Sequence, residues 1–134
     1  MDRAVASRNE RRVAGQVGGE HSSAALFTIV WDALADLLGT ATAATLLRRA
    51  ARRAAPRNPE LTELIIVREN LEYRYTLPFA WNDWTGGTQR SLQQLVAELM
   101  PLLVELTGSI VVRHLAQIPE LTERGLVSPE KEVP

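Results

Sequence analysis

Arginine is the residue type with the clearest capacity for recognition chemistry in this sequence. Arg48, Arg49, Arg52 and Arg53 stand close together, and Arg57 follows them. Residues four apart lie on the same face of a helix, so Arg48 falls beneath Arg52 and Arg49 beneath Arg53. Guanidinium groups bind carboxylates and phosphates through paired N–H donors. The pattern predicts a basic stripe that binds an acidic protein partner or an anionic ligand.

The same arginines have a structural interpretation. Cations near the C-terminus of a helix offset its macrodipole, and the exposed face of an amphipathic helix is polar in any case. Nucleic acid is disfavoured as a partner, since the pI is about 6.1 and no nucleic-acid-binding module is recognisable. Residues 1–57 carry nine arginines and five acids, whereas residues 58–134 carry six bases and eleven acids. The basic residues therefore belong to one half of the chain.

Aromatic residues form the second candidate site, a ligand or contact surface. Its members are Tyr73, Tyr75, Phe79, Trp81 and Trp84, out of the chain's three Trp, two Tyr and two Phe. Aromatic rings bury large areas, and tyrosine and tryptophan keep a polar atom for recognition. The alternative is that these rings cover the hairpin and close the core.

Catalytic and metal-binding patterns are weak. His21 and His114 have no partner at metal-ligand spacing, and Asp32 and Asp36 are explained by an exposed helix face. The glycines of residues 85–88 lack the rest of a phosphate-binding motif. The chain contains no cysteine, which fits a reducing compartment. We therefore expect no cofactor and no metal, favour a non-enzyme, and expect a cytoplasmic location.

Two helices are expected ahead of the arginines. Over residues 21–38 apolar residues recur at three- and four-residue spacing, namely Leu26, Ile29, Val30, Ala33, Leu34, Leu37 and Leu38. Ser22 or Ser23 is the predicted N-cap of this helix, and Gly39 its end. A second helix, capped by Thr40 or Thr42, reaches about residue 55 before the prolines. Its alanines permit close approach of a neighbour, and together the two helices form a helical hairpin.

A β-hairpin is predicted next. Residues 64–67 are largely β-branched, residues 73–77 alternate apolar with polar side chains, and Asn70 lies between them. In the second strand Leu71, Tyr73, Tyr75 and Leu77 share one face. An ordered loop is expected over residues 79–87.

A long third helix follows, with Ser91 and Gln94 as a capping box and an apolar stripe from Leu92 to Leu106. Pro101 predicts a kink within residues 96–100, and Gly108 ends the helix. Residues 109–118 fit either a strand or a helix, of which we favour the helix. A brief helix over residues 119–124 ends at Gly125.

These elements predict a helix-rich α+β fold: a helical hairpin, a β-hairpin, a long kinked helix, and a short C-terminal helix or strand. We expect residues 1–20 to form a flexible arm without the apolar core of a secretory signal, residues 21–127 one globular domain, and residues 128–134 a frayed tail. No apolar run reaches the length of a membrane span.

The function predicted from the sequence is a non-catalytic regulatory or adaptor module that works through protein–protein contacts. A two-stranded hairpin is marginal alone, so either residues 110–113 add a third strand within the chain or an edge strand pairs with its copy across a two-fold axis. We expect a homodimer. The alternative is a small-ligand sensor or an enzyme whose pocket is lined by the aromatic hairpin and loop.

Overall fold

A computed structural model describes residues 22–82 and 89–127. Two helices open the described chain, α1 (Ser23–Leu38) and α2 (Thr40–Ala54). Only Gly39 separates them, with φ of 91° and ψ of 156°. This region of backbone space is accessible almost exclusively to glycine. One residue thus ends α1 and starts α2, and the helical hairpin is confirmed.

The caps of these helices match the sequence only in part. Ser22 is the N-cap of α1, and its Oγ accepts a hydrogen bond from the backbone N–H of Ala25. The predicted threonine cap of α2 is wrong, because Gly39 occupies the N-cap position and Thr40 is already helical. Asn58 closes the other end of α2, where its side-chain Nδ2 donates to the carbonyl of Ala54.

A 3-10 helix (Pro59–Glu63) leads into the β-hairpin, which consists of β1 (Ile65–Glu69) and β2 (Glu72–Thr76). The strands are antiparallel, with Ile66 opposite Tyr75 and Glu69 opposite Glu72. Asn70 has a φ of 60°, as a tight two-residue turn requires. The predicted hairpin is confirmed.

The segment after β2 forms a second 3-10 helix (Phe79–Asn82) where we expected a loop, and residues 83–88 lie outside the described part. The chain continues as α3 (Arg90–Thr107), α4 (Ile110–Ala116) and α5 (Pro119–Glu123). Residues 109–118 are thus largely helical, as favoured. Gly108 and Gly125, both with positive φ, follow α3 and α5.

The start of α3 differs from the prediction. Gln89 is its N-cap and makes no side-chain capping bond, so the capping box of Ser91 and Gln94 is wrong. The hydroxyl of Ser91 is committed to other side chains instead. The helix continues through Pro101, which lacks the backbone donor for a helical hydrogen bond to Ala97.

The core lies between α2 and α3, with α1 and the C-terminal helices around them. Every alanine from Ala43 to Ala54 is buried, which lets the backbone of α2 approach α3 closely. The larger core side chains on these two helices are leucines and one valine, namely Leu46, Leu47, Leu92, Leu95, Val96, Leu99, Leu102 and Leu103. The hairpin covers one side of this helical layer, and the α+β class predicted from the sequence is confirmed.

Candidate functional site

The exposed side of α2 carries a group of arginines without acidic partners. Arg49, Arg52 and Arg53 are exposed and line a shallow depression of about 170 Å³. We call these three residues the arginine surface. Within residues 22–82 and 89–127, no acidic side chain forms an ion pair with any of them. Their guanidinium donors are available to carboxylates or phosphates from another molecule.

Arg48 has a different environment from its neighbours. Its Nε and Nη2 donate hydrogen bonds to the backbone carbonyl of Ile66 in β1, at 3.1 Å and 2.6 Å. These bonds join α2 to the hairpin. Sequence analysis placed Arg48 among the partner-binding residues, whereas in the structure two of its five N–H donors bind within the domain.

Arg57 is also separated from the arginine surface. It lies beyond the end of α2 and lines a second depression, of about 280 Å³. The other residues that line this depression are Asn58, Pro59, Glu60, Gln89, Arg90 and Ser91. Arg57 and Arg90 supply positive charge here, but the carboxylate of Glu60 opposes the binding of an anion at the same place.

Glu60 and Ser91, which line the second depression, belong to a polar relay with the buried Trp81. The indole Nε1 of Trp81 donates to Ser91 Oγ at 2.8 Å, and the hydroxyl of Ser91 donates to a carboxylate oxygen of Glu60. Trp81 is 0% exposed and Ser91 is 3% exposed. The relay satisfies the buried indole donor and links the 3-10 helix at residues 79–82 to α3.

The aromatic residues separate into core and surface. Phe27, Trp31, Tyr73, Tyr75 and Trp81 pack together, and we call them the aromatic cluster. Phe27 contacts Tyr75 edge-on with ring centroids 5.0 Å apart, and its centroid lies 5.8 Å from that of Trp81. The hydroxyl of Tyr75 also hydrogen-bonds Thr28 Oγ1 at 3.0 Å. The cluster attaches β2 to α1.

This packing corrects one predicted contact residue. Trp81 is fully buried, so it offers no surface to a partner in this structure. Tyr73 and Tyr75 are half-buried, whereas Phe79 is 83% exposed and belongs to the surface. Trp84 lies outside the described residues. The five predicted aromatic residues therefore do not form one exposed patch.

The sequence missed Phe27 and Trp31 as members of the aromatic cluster. The predicted stripe of α1 included Ile29 and Leu37, but Ile29 is only partly buried and Leu37 is 40% exposed. The buried face runs instead through Leu26, Phe27, Val30, Trp31 and Leu34. The i, i+4 spacing of Phe27 and Trp31 was the available signal, because it places two large rings on one face.

The outer face of the hairpin, turned away from the helices, is partly apolar. Ile65 is 51% exposed and Val67 is 43% exposed, and the turn residue Leu71 is 84% exposed. Phe79 lies near the opposite end of the hairpin, where its backbone N–H donates to the carboxylate of Glu63 at 3.2 Å. Ile65 and Val67 share this face because they flank the buried Ile66 along the strand.

Neither a metal cluster nor a membrane span is found in the described part of the chain. Within residues 22–82 and 89–127, no three His, Cys, Asp or Glu side chains are placed to hold a metal ion, and His114 is exposed. His21 and residues 85–88 fall outside these ranges. Among the helices described, none is both long and apolar enough to cross a bilayer.

The fold and its surfaces define a helix-rich α+β domain with a basic helix face beside a two-stranded hairpin. No family model matches the chain, and no curated protein or solved structure shows significant similarity to it.

Proposed function

We propose that this chain is a non-catalytic regulatory or adaptor domain that binds an acidic segment of a protein partner and acts as a homodimer. The observation that carries the proposal is the arginine surface, in which Arg49, Arg52 and Arg53 are exposed and have no acidic partner among the described residues. Unpaired guanidinium groups clustered on one rigid helix are pre-positioned for carboxylates.

The shape of the arginine surface favours a peptide over a compact ligand. Its depression of about 170 Å³ is smaller than the roughly 300 Å³ at which small-molecule pockets begin. Arg49 and Arg53 lie one helical turn apart, so several carboxylates along a chain are better matched to them than a single anion. An acidic, extended or helical segment of another protein fits this arrangement.

The alternative of a small-ligand sensor is less well supported. That alternative placed a pocket beside the aromatic residues. Trp81 is fully buried there and contacts Phe27, and Tyr75 lies against both Phe27 and Trp31. Rings packed at van der Waals distance leave little room for a ligand between them. A filled aromatic cluster favours the adaptor.

The experiment that tests the proposal is a charge reversal at the arginine surface. A fluorescein-labelled oligoglutamate peptide serves as the probe, and its fluorescence anisotropy is measured at low and physiological salt. We expect saturable binding that weakens as salt rises, because exposed charges are screened. The combined variant Arg49→Glu, Arg52→Glu and Arg53→Glu should abolish binding while the circular dichroism spectrum stays unchanged.

A matched control separates local from total charge. Reversal of Arg8, Arg11 and Arg12 changes the net charge by the same amount at residues outside the described part. This control should retain most of the peptide binding. Equal loss in both triple variants would mean that total charge, rather than the arginine surface, determines binding, and the proposal would then be wrong.

A further inference from the structure

The hairpin has two edges, and the register of its strands fixes which backbone groups point outward. A two-residue turn joins Glu69 to Glu72, which makes this pair a hydrogen-bonded one. Hydrogen-bonded and non-hydrogen-bonded pairs alternate along an antiparallel ladder. The pairs Arg68–Tyr73 and Ile66–Tyr75 therefore turn their N–H and C=O groups away from the partner strand, toward the two edges.

The edge of β1 is obstructed. Arg48 donates both Nε–H and Nη2–H to the outward carbonyl of Ile66, so this acceptor is not available to another strand. A side chain that covers an edge in this way hinders strand addition. At the edge of β2, no residue of the described chain outside the hairpin hydrogen-bonds the backbone of Tyr73. The outward N–H and C=O of Tyr73 can thus pair with another strand.

The charges of the hairpin are incompletely paired. Glu69 and Glu72 are directly opposite each other, and Arg74 pairs with Glu69 at 2.8 Å. Like charges opposite each other are unfavourable in a sheet. Glu72 has no ion pair within the described residues. The carboxylate of Glu72 therefore lies opposite that of Glu69, and Arg74 is two positions further along the same strand.

We infer that β2 pairs antiparallel with β2 of a second copy of this chain, about a two-fold axis at Tyr73. This inference rests on the homodimer of the proposed function and specifies its interface. In this register the outward N–H and C=O of Tyr73 bond their counterparts in the second copy. Glu72 lies opposite Arg74 of the second copy, and the two-fold axis makes this ion pair twice.

Two neighbouring registers lack this complementarity. An axis at Arg74 places the two copies of Arg74 against each other. An axis at Tyr75 places Arg74 opposite Thr76 and leaves Glu72 opposite Pro78, which has no charge. Only the axis at Tyr73 gives Glu72 a cation, and it also places the two Tyr73 rings side by side on one face. Arg74 has enough donors to bind Glu69 and the added glutamate together.

The test uses single charge reversals and their mixture. In Glu72→Arg, an arginine faces Arg74 of the other copy at both sites. In Arg74→Glu, two glutamates face each other. We expect the wild type to sediment as a dimer at high micromolar concentration, and each variant to have a dimer dissociation constant about tenfold higher or more.

The mixture provides a result that a general loss of stability would not produce. In the homodimer of Glu72→Arg, the introduced arginine faces an unchanged Arg74. In the heterodimer, one of the two pairs joins the introduced arginine to the introduced glutamate, and the other joins the unchanged Glu72 to the unchanged Arg74. Both pairs are then complementary, so a heterodimer should form although each variant alone is weakened.

Three outcomes would overturn the inference. The first is a wild type that stays monomeric at high micromolar concentration. The second is a pair of variants that dimerise as well as the wild type, and the third is a mixture that forms no heterodimer.

Failure of the inferred strand pairing can be distinguished from failure of the proposed adaptor function. Oligoglutamate binding depends on the arginine surface of α2, and Glu72 and Arg74 lie on β2. Dimer variants that still bind the peptide would show that partner binding and self-association are separate properties. The triple arginine variant, in turn, should sediment as the wild type does.

Discussion

The indole of Trp81 is completely buried, and its only donor is satisfied by Ser91, ten positions further along the chain. Ser91 in turn donates to Glu60, which precedes the hairpin. Three segments that are distant in sequence are thus connected by two hydrogen bonds. Because a buried donor without a partner is costly, this relay makes the position of Ser91 important for the stability of the domain.

Replacement of Ser91 should therefore destabilise the fold. Ser91→Ala removes the acceptor and leaves the Trp81 N–H buried and unsatisfied, which costs about 1–3 kcal/mol. Urea denaturation followed by tryptophan fluorescence measures the change. Ser109→Ala is the matched control, since Ser109 is exposed and makes no side-chain capping bond. Equal stabilities of the two variants would contradict the role of the relay.

The two phenylalanines should differ strongly in how much stability is lost when they are truncated. Phe27 is 0% exposed and contacts both Tyr75 and Trp81, so Phe27→Ala should cost about 3–5 kcal/mol. Phe79 is 83% exposed, and Phe79→Ala should change the unfolding free energy by less than about 0.5 kcal/mol. Thermal or urea unfolding measures both. A large loss with Phe79→Ala would show that its ring is buried.

Much of the fold could be predicted because its signals are local. Gly39, Asn70 and Gly108 mark sites of positive φ, and the leucine pattern of α3 matches its buried face except at Leu106. Helical periodicity and turn residues depend on neighbours within a few positions. The existence and order of the α-helices and β-strands described therefore followed from the sequence, whereas the 3-10 helices at Pro59–Glu63 and Phe79–Asn82 did not.

The candidate site was less predictable because its contacts are long-range. Arg48 reaches the carbonyl of Ile66, and Trp81 reaches Ser91 rather than solvent. Neither partner can be chosen from spacing along the chain, since both depend on how the hairpin lies on the helices. By sequence, Ser91 near the start of α3 fits a helix cap equally well. In the structure its hydroxyl instead accepts a hydrogen bond from the buried indole of Trp81.

Arg48 should contribute to stability, whereas its neighbour should not. Arg48→Ala removes two hydrogen bonds to Ile66 from an exposed side chain and should cost about 0.5–1.5 kcal/mol. Arg49→Ala is the control, and it should change the unfolding free energy by less than about 0.5 kcal/mol. For peptide binding we expect the reverse order, so that Arg49→Ala weakens the affinity more than Arg48→Ala does. Chemical denaturation and fluorescence anisotropy test the two expectations, and a result in which both arginines behave alike would contradict this division.

Of the described glycines Gly39 and Gly125, which both have positive φ, Gly39 should be the less tolerant of replacement. A Cβ at this position meets no atom within 4 Å, so crowding is not the obstacle. The obstacle is the backbone, because φ of 91° with ψ of 156° is a region that L-residues with a side chain avoid. Gly39→Ala should therefore lower the unfolding free energy by about 1–3 kcal/mol, or shift the junction between α1 and α2. Urea denaturation measures the first effect.

The same substitution at Gly125 provides the comparison. A Cβ at Gly125 would also meet no atom within 4 Å. Gly125 has a φ of 76° and follows the short helix α5. Gly125→Ala should cost less, because Gly125 follows a helix of five residues, whereas Gly39 joins two helices of 16 and 15 residues. Hydrogen exchange at the α1–α2 junction should increase in Gly39→Ala and stay unchanged in Gly125→Ala. Equal effects of the two variants would mean that Gly39 holds no special place between the helices.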